Sequence, residues 1–162
     1  MSAEHDEEFV VFVDENSARL LTAAWMLTGD PHTAEELVQE AMERVYLRWG
    51  RLRGGHPKAY ARKILINLHT DRWRKRRKEV LTDAPPERMS ERESRHIDLV
   101  RALQALPTRE REVVVLRHYL DQSEQATADA LGIGLGTVKA SGSRGLSRMR
   151  SLLEGDESHA NF

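Results

Sequence analysis

Between Phe9 and Leu27 the apolar side chains keep helical spacing: Phe9, Phe12, Val13, Leu20, Leu21, Ala24 and Leu27. That spacing covers one face of an α-helix and cannot line one face of a strand, whose period is two. The same rhythm recurs along the whole chain. Val113–Leu116 is rich in β-branched residues, but it sits inside a longer helical pattern. The fold class read from the sequence is therefore all-α.

The breaks between helices are equally legible. Thr28-Gly29-Asp30-Pro31 ends a first helix over about 8–28, and Asp30 with Pro31 behind it suits the start of a second. Ala34, Leu37, Val38, Ala41, Val45 and Leu47 carry that second helix to about Trp49, with Glu35, Glu36, Gln39, Glu40 and Glu43 over much of its remaining surface. Three glycines and a proline make 50–57 a loop. A third helix over about 57–78 has Ala59, Tyr60, Ile64, Leu65, Leu68 and Trp73 as apolar members, and its last turns, Arg72 to Lys78, are almost wholly basic. Trp73 is expected to be buried between helices, and Asp71 to pair a neighbouring arginine.

Residues 80–94 (VLTDAPPERMSERES) hold paired prolines and many polar residues, the composition of a flexible linker. A second domain begins near Arg95. Ile97, Val100, Leu103 and Leu106 form one helix, ended by Pro107. Thr108 is expected to cap the next, with Glu112 near the capping-box position and Val113, Val114, Val115, Leu116 and Tyr119 on the buried side. A short helix from Ser123 to Leu131, the turn Gly132-Ile133-Gly134 and a last helix over about 135–153 complete the domain. A tail over 154–162 is expected to be disordered. The domains are thus 8–79 and 95–153, two small helical units joined by the linker.

Charge divides the chain further. Residues 1–50 hold 3 Lys/Arg against 11 Asp/Glu, residues 51–79 hold 11 against 2, and residues 80–162 hold 11 against 13. An acidic surface avoids phosphate and suits a basic protein, whereas a basic block suits phosphate. There is no Cys, which removes disulfides, thiolate metal sites and thiol redox sensing and fits a reducing, cytoplasmic setting. No signal peptide or membrane-spanning run is expected. The seven His are scattered, without metal-ligand spacing, and no glycine-rich phosphate loop or nucleophile motif accompanies the carboxylates. Neither catalysis nor a metal or cofactor is expected.

Two segments carry chemistry. In 123–150 a short helix, a glycine turn and a helix with small and basic residues form a helix-turn-helix, the DNA-reading motif. Ala126, Ala128 and Ala130 are small enough for close helix packing. Leu131, Ile133 and Val138 are apolar where the two helices meet, and Gly132 permits a left-handed backbone. Thr137, Lys139, Ser141, Arg144 and Arg148 are the candidate contacts to phosphates or base edges. In the basic helix, Asn67 can hydrogen-bond a base, and Arg72, Arg74, Lys75, Arg76 and Arg77 can meet phosphates; aromatic faces there could stack on separated bases.

The two halves together resemble the extracytoplasmic-function (group 4) type of sigma-70 family RNA polymerase sigma factors, in wording similar to an actinobacterial sigma-E-like subgroup. GDPHTAEELVQEAMERVYLRW and HPKAYARKILINLHTDRWRKRRK look like sigma region 2. LPTREREVVVLRHYLDQSEQATADALGIGLGTVKASGSRGLSRMR looks like sigma region 4. The resemblance implies that Asp30, Glu35, Glu36, Gln39 and Glu40 dock on the clamp helices of core RNA polymerase, with the flap as a further contact. It implies that the basic helix holds the melted −10 element, with Asn67 and the loop 52–58 reading a flipped-out base, and that the last helix reads the −35 duplex. An anti-sigma factor that clamps both domains is a further partner implied by resemblance alone. One departure stands out. After Gly-Thr-Val-Lys many members carry Ser-Arg; this chain has Ala140-Ser141, then Gly142 and Gly145, and each glycine inside a helix costs about 1 kcal/mol relative to Ala. A rival reading, a free-standing helix-turn-helix regulator, explains 123–150 but not the acidic and basic helices before it.

Overall fold

The computed structural model describes residues 2–78 and 94–160, with side chains over 2–75 and 98–155. The linker lies outside the described residues, apart from Ser94. All regular elements among those described are helical. In order they are α1 (Ala3–Thr28), α2 (Pro31–Leu47), α3 (Trp49–Leu52), α4 (Pro57–Lys78), α5 (Ser94–Gln104), α6 (Thr108–Val114), a π turn (Val115–Tyr119), α7 (Glu124–Leu131) and α8 (Leu135–Ala160). The chain divides into two compact units, one built on α1 to Trp25 with α2–α4, the other holding α5–α8.

The first unit buries Phe12 and Leu20 of α1, Leu37, Ala41 and Val45 of α2, Trp49 of α3, and Ala61, Ile64, Leu65 and Leu68 of α4 in one core. Helix α1 starts at Ala3, six residues before the apolar pattern does. Acidic Glu4 and Asp6 in its first turn favour the positive end of the helix dipole. Asp6 also accepts a hydrogen bond from Tyr46 Oη at 3.1 Å, and Glu8 takes Arg53 with both oxygens, Nε at 2.7 Å and Nη2 at 2.5 Å. That contact holds the Glu8 carboxyl below its ordinary pKa. The glycine-rich stretch after Trp49 is not wholly loop: α3 inserts a helical turn there. Trp49 is buried, its ring centroid 5.4 Å from Phe9 and 5.3 Å from Phe12, and this anchor draws Gly50 into the turn.

Gly29, at φ +74°, ends α1 in the left-handed conformation that glycine adopts without strain. Asp30 then caps α2, accepting from the backbone N–H of His32 and Thr33, both at 3.3 Å, and from Thr33 Oγ1 at 2.5 Å. The Thr33 hydroxyl is the largest influence lowering the Asp30 pKa.

In the second unit the cap falls one residue earlier than expected. Pro107, extended at φ −53° and ψ 145°, is the N-cap of α6, and Thr108 is its first helical residue and makes no side-chain cap bond. Proline is pre-set for that extended entry and has no N–H to satisfy. Glu112 is therefore not half of a capping box. It is buried, and burial raises its pKa against the lowering pull of Arg109 and then Arg111. Arg111 secures the preceding helix, donating from Nε to Leu103 O at 2.9 Å and from Nη2 to Gln104 O at 3.2 Å and Leu106 O at 3.1 Å. These are the kind of orphan carbonyls that a helix C-terminus leaves. Helix α8 continues past Leu153 to Ala160, so 154–160 is helical where the sequence reading ends the helix; Asn161 and Phe162 lie outside the described residues.

Candidate nucleic-acid and protein interfaces

Helix α2 carries two acidic rows, not one. Glu35, Gln39 and Glu43 recur every four residues, and they line a groove of about 920 Å³ between α1 and α2, together with Phe9, Val13, Leu21, Val38, Met42 and Leu47. Leu47 is 80 % exposed at its end. Glu36 and Glu40 form the neighbouring row and turn instead toward α4. Arg72 Nη1 lies 3.0 Å from Glu36 Oε2, and Arg72 Nη2 lies 3.4 Å from Glu40 Oε2. Glu36 also faces His32 Nε2 at 3.2 Å, and Glu40 faces Arg44 at 3.2 Å. The five candidate polymerase contacts are thus split: Glu35 and Gln39 on the groove, Glu36 and Glu40 against Arg72, and Asp30 occupied as a cap. Glu43 completes the groove row and was not among them. An acidic residue four places on from Gln39 was the signal for it.

On α4, Asn67 is exposed and shares a stripe with Lys63, Asp71 and Arg74, which are exposed as well. Seven residues from Asn67 to Arg74 make nearly two turns, so the amide and the guanidinium point the same way about 10 Å apart. Lys75 is exposed beside them. Arg76 and Arg77 belong to the last turn of α4, but their side chains lie outside the described ones. Arg72, expected at DNA, is half-buried against α2. Trp73, expected in the core, is 38 % exposed, because its place on α4 is a third of a turn off the buried row Ile64, Leu65 and Leu68. Arg53, at the foot of the adjoining loop, is held by Glu8, while Gly54, Gly55 and His56 are exposed.

The helix-turn-helix is built as its sequence suggests. Ser123 caps α7, accepting from Ala126 N at 3.0 Å, and Gly132 ends it at φ +66°. Val113 of α6, Ala128 of α7 and Val138 of α8 make a small buried core, with Leu131 and Ile133 packed against it. Of the three alanines only Ala128 is buried; fully buried Thr127, its hydroxyl donating to Ser123 O at 2.8 Å, does the close packing beside it.

Along α8, Thr137 and Lys139 are exposed, as is Arg150, three turns beyond Lys139 on the same face. Ser141 is not available. It is 2 % exposed, on the buried row with Val138, Gly145 and Met149, so its assignment as a DNA contact is corrected to a packing position. Gly145 accounts for part of the departure seen in the sequence. A Cβ there would stand 2.7 Å from Val114 Cγ2 and 3.3 Å from Glu110 O, so α6 and α8 touch where only glycine fits. Arg144 and Arg148 are exposed but share a partner on α6: Glu110 Oε1 lies 3.6 Å from Arg144 Nε and 3.3 Å from Arg148 Nε. No group of acidic, histidine or cysteine side chains among the described residues could hold a metal ion.

These two units correspond to known families in the same order. Residues 12–79 match Sigma-70 region 2, and residues 96–149 match Sigma-70 region 4. The chain is 39 % identical over 152 residues to the RNA polymerase sigma-E factor of Streptomyces coelicolor, covering 90 % of this chain and 86 % of that one. It belongs to the sigma-70 family of RNA polymerase sigma factors. The ECF RNA polymerase sigma factor SigE of Mycolicibacterium smegmatis is 31 % identical over 153 residues, covering 87 % of this chain and 60 % of that longer protein. Among solved structures, the sigma factor RpoE of Bartonella quintana, crystallised with the anti-sigma factor NepR, shares the fold with a TM-score of 0.75 at 24 % identity, over 94 % of this chain and 98 % of that one. CnrH, solved with the cytosolic domain of CnrY, aligns with a TM-score of 0.67 at 22 % identity. As a sigma factor the protein has its role in transcription initiation. No described helix is long and apolar enough to cross a membrane.

Proposed function

We propose that the protein binds core RNA polymerase through α2 and directs it to promoters through two separate DNA readers, acting in the cytoplasm by binding and not by catalysis. The observation that carries this reading is the ordered match to regions 2 and 4 over nearly the whole chain. Residues 8–79 are then the polymerase-binding and −10 domain, and 95–153 the −35 domain. The groove row Glu35, Gln39 and Glu43, with its apolar floor, suits a basic amphipathic helix such as a clamp helix; Glu36 and Glu40 flank it. The flap is the second polymerase contact. On α4, the stripe of Asn67 and Arg74 beside the exposed Gly54–His56 offers an amide for a base edge and a guanidinium for phosphate on separated strands. Lys75, Arg76 and Arg77 add charge to the same helix end. On α8, Thr137, Lys139, Arg144 and Arg148 face the −35 duplex. The similar sigma factor RpoE, solved with the anti-sigma factor NepR, supports a regulatory partner of the anti-sigma class for this chain as well.

Run-off transcription with core polymerase on genomic fragments, with start-site mapping, tests the reading. Discrete starts that depend on the protein are expected. Duplex binding without any core binding would instead make it a free-standing helix-turn-helix regulator.

A further inference from the structure

One buried acid reaches the exposed arginines of α8. Glu110 of α6 is 4 % exposed, yet Arg148 Nε donates to its Oε1 at 3.3 Å and Arg144 Nε stands 3.6 Å from the same oxygen. Arg144 and Arg148 are one helical turn apart, so one carboxylate oxygen lies between successive rungs. Both contacts use the Nε edge. A guanidinium is a rigid plane with five donors, and a contact through Nε leaves the two terminal amino groups available for other partners. The arginine side chains keep 62 % and 58 % of their surface exposed.

The local packing is shaped around this contact. Gly145 sits between the two arginines, and a Cβ there would meet Glu110 O at 3.3 Å and Glu110 Cβ at 3.4 Å, so the glycine lets α6 reach α8 at this acid. The other carboxylate oxygen, Glu110 Oε2, is buried and accepts no hydrogen bond among the described residues. An apolar residue would pack the helix contact without that unmet acceptor. What the acid adds is its hold on two guanidinium planes.

We infer that Glu110 is a positioning and specificity-determining residue for duplex recognition by α8. It orients Arg144 and Arg148 through their Nε edges and offsets part of the charge they present. Bidentate contact with guanine O6 and N7 needs a fixed guanidinium plane, whereas attraction to phosphate does not. Glu110 thus trades general affinity for base discrimination. The inference rests on the reading of Arg144 and Arg148 as DNA contacts.

The test compares Glu110→Gln, Glu110→Asp, Arg144→Ala and Arg148→Ala in the full chain. Each is titrated with salt on a −35 duplex from a mapped promoter and on its scrambled counterpart. Glu110→Gln keeps the shape and removes the charge. It should tighten scrambled binding, steepen the salt slope by about one unit, and cut the ratio of specific to scrambled binding about tenfold. Glu110→Asp keeps the charge but shortens the reach, so the slope should stay and the ratio fall; it also serves if the Gln variant does not fold. If neither arginine variant weakens binding to either duplex, the DNA assignment of α8 arginines fails. If the arginine variants weaken binding while both Glu110 variants keep the parent ratio, or lower both duplexes equally, Glu110 is only a packing residue and the inference is overturned.

Discussion

Two glycines three residues apart on α8 should respond to alanine with opposite sign. Alanine within a helix is about 1 kcal/mol more favourable than glycine, and this gain applies to Gly142 and Gly145 alike. At Gly142 the new methyl would stand 3.4 Å from Val113 Cγ1, at the edge of ordinary contact, so most of the gain survives. At Gly145 it would stand 2.7 Å from Val114 Cγ2 and 3.3 Å from a backbone carbonyl oxygen. Val114 is β-branched and stiff, and the carbonyl belongs to helix α6, so neither neighbour yields easily. Overpacking of this kind costs about 1–3 kcal/mol, which outweighs the helix gain. The expected outcome is that Gly142→Ala stabilises the C-terminal unit by about 0.5–1 kcal/mol and Gly145→Ala destabilises it by about 1 kcal/mol. Native-state amide exchange at Val138 and Met149 reads this locally, which matters because all three tryptophans lie in the other unit. A difference of about 1.5–2 kcal/mol is more than tenfold in exchange rate. Equal stabilisation by both substitutions would refute the close approach of α6 and α8 at Gly145.

Three further outcomes follow from the same geometry. Glu36→Lys with Glu40→Lys should weaken capture by core polymerase while circular dichroism stays unchanged, since the exposed pairs with Arg72 are worth no more than about 1 kcal/mol; full capture with an intact fold would remove these acids from the docking surface. Asn67→Ala should reduce promoter opening in permanganate footprints without altering the salt slope, whereas Arg74→Ala should lower the slope by about one unit; the reverse pattern would undo the division of roles on α4. Glu112→Gln should raise the melting temperature of the C-terminal unit at pH 7, because burial raises the Glu112 pKa and its charged form is the disfavoured one. A raised folded-state pKa means that stability is greatest below the unfolded value and falls as pH rises, so the advantage of the glutamine should shrink on acidification; an advantage that grows with acid would contradict the assignment.

The fold was legible because its signals are local. Helical spacing, Gly29, the Asp30–Pro31 start and the Gly132 stop each act within a few residues. What was hidden joins distant positions. Glu8 with Arg53, Glu36 and Glu40 with Arg72, and Glu110 with Arg148 are tens of residues apart, and periodicity says nothing about which charges will meet. The early start of α1 depends on such long-range ties. Ser141 was misplaced for a related reason: its residue type suits a groove, but its position on α8 is that of the buried row. Gly145 looked like a weakness because its benefit lies in a neighbouring helix that the local sequence does not contain.

The π turn after α6 fixes how many residues the chain must have there. Its bond from Leu120 N to Val115 O, 3.0 Å long, spans five residues where an α-helix spans four, so one additional residue is stored without a loop. Leu120, 1 % exposed, owes its burial to that count. Loss of a single residue between 115 and 119 would close the bonds to the ordinary span and turn everything after it by about 100°. Ser123 and α7 would swing away from Val113, which also holds α8. Chain length in this segment is therefore constrained as tightly as any side chain in the core, and a one-codon deletion there is expected to be less tolerated than most substitutions around it.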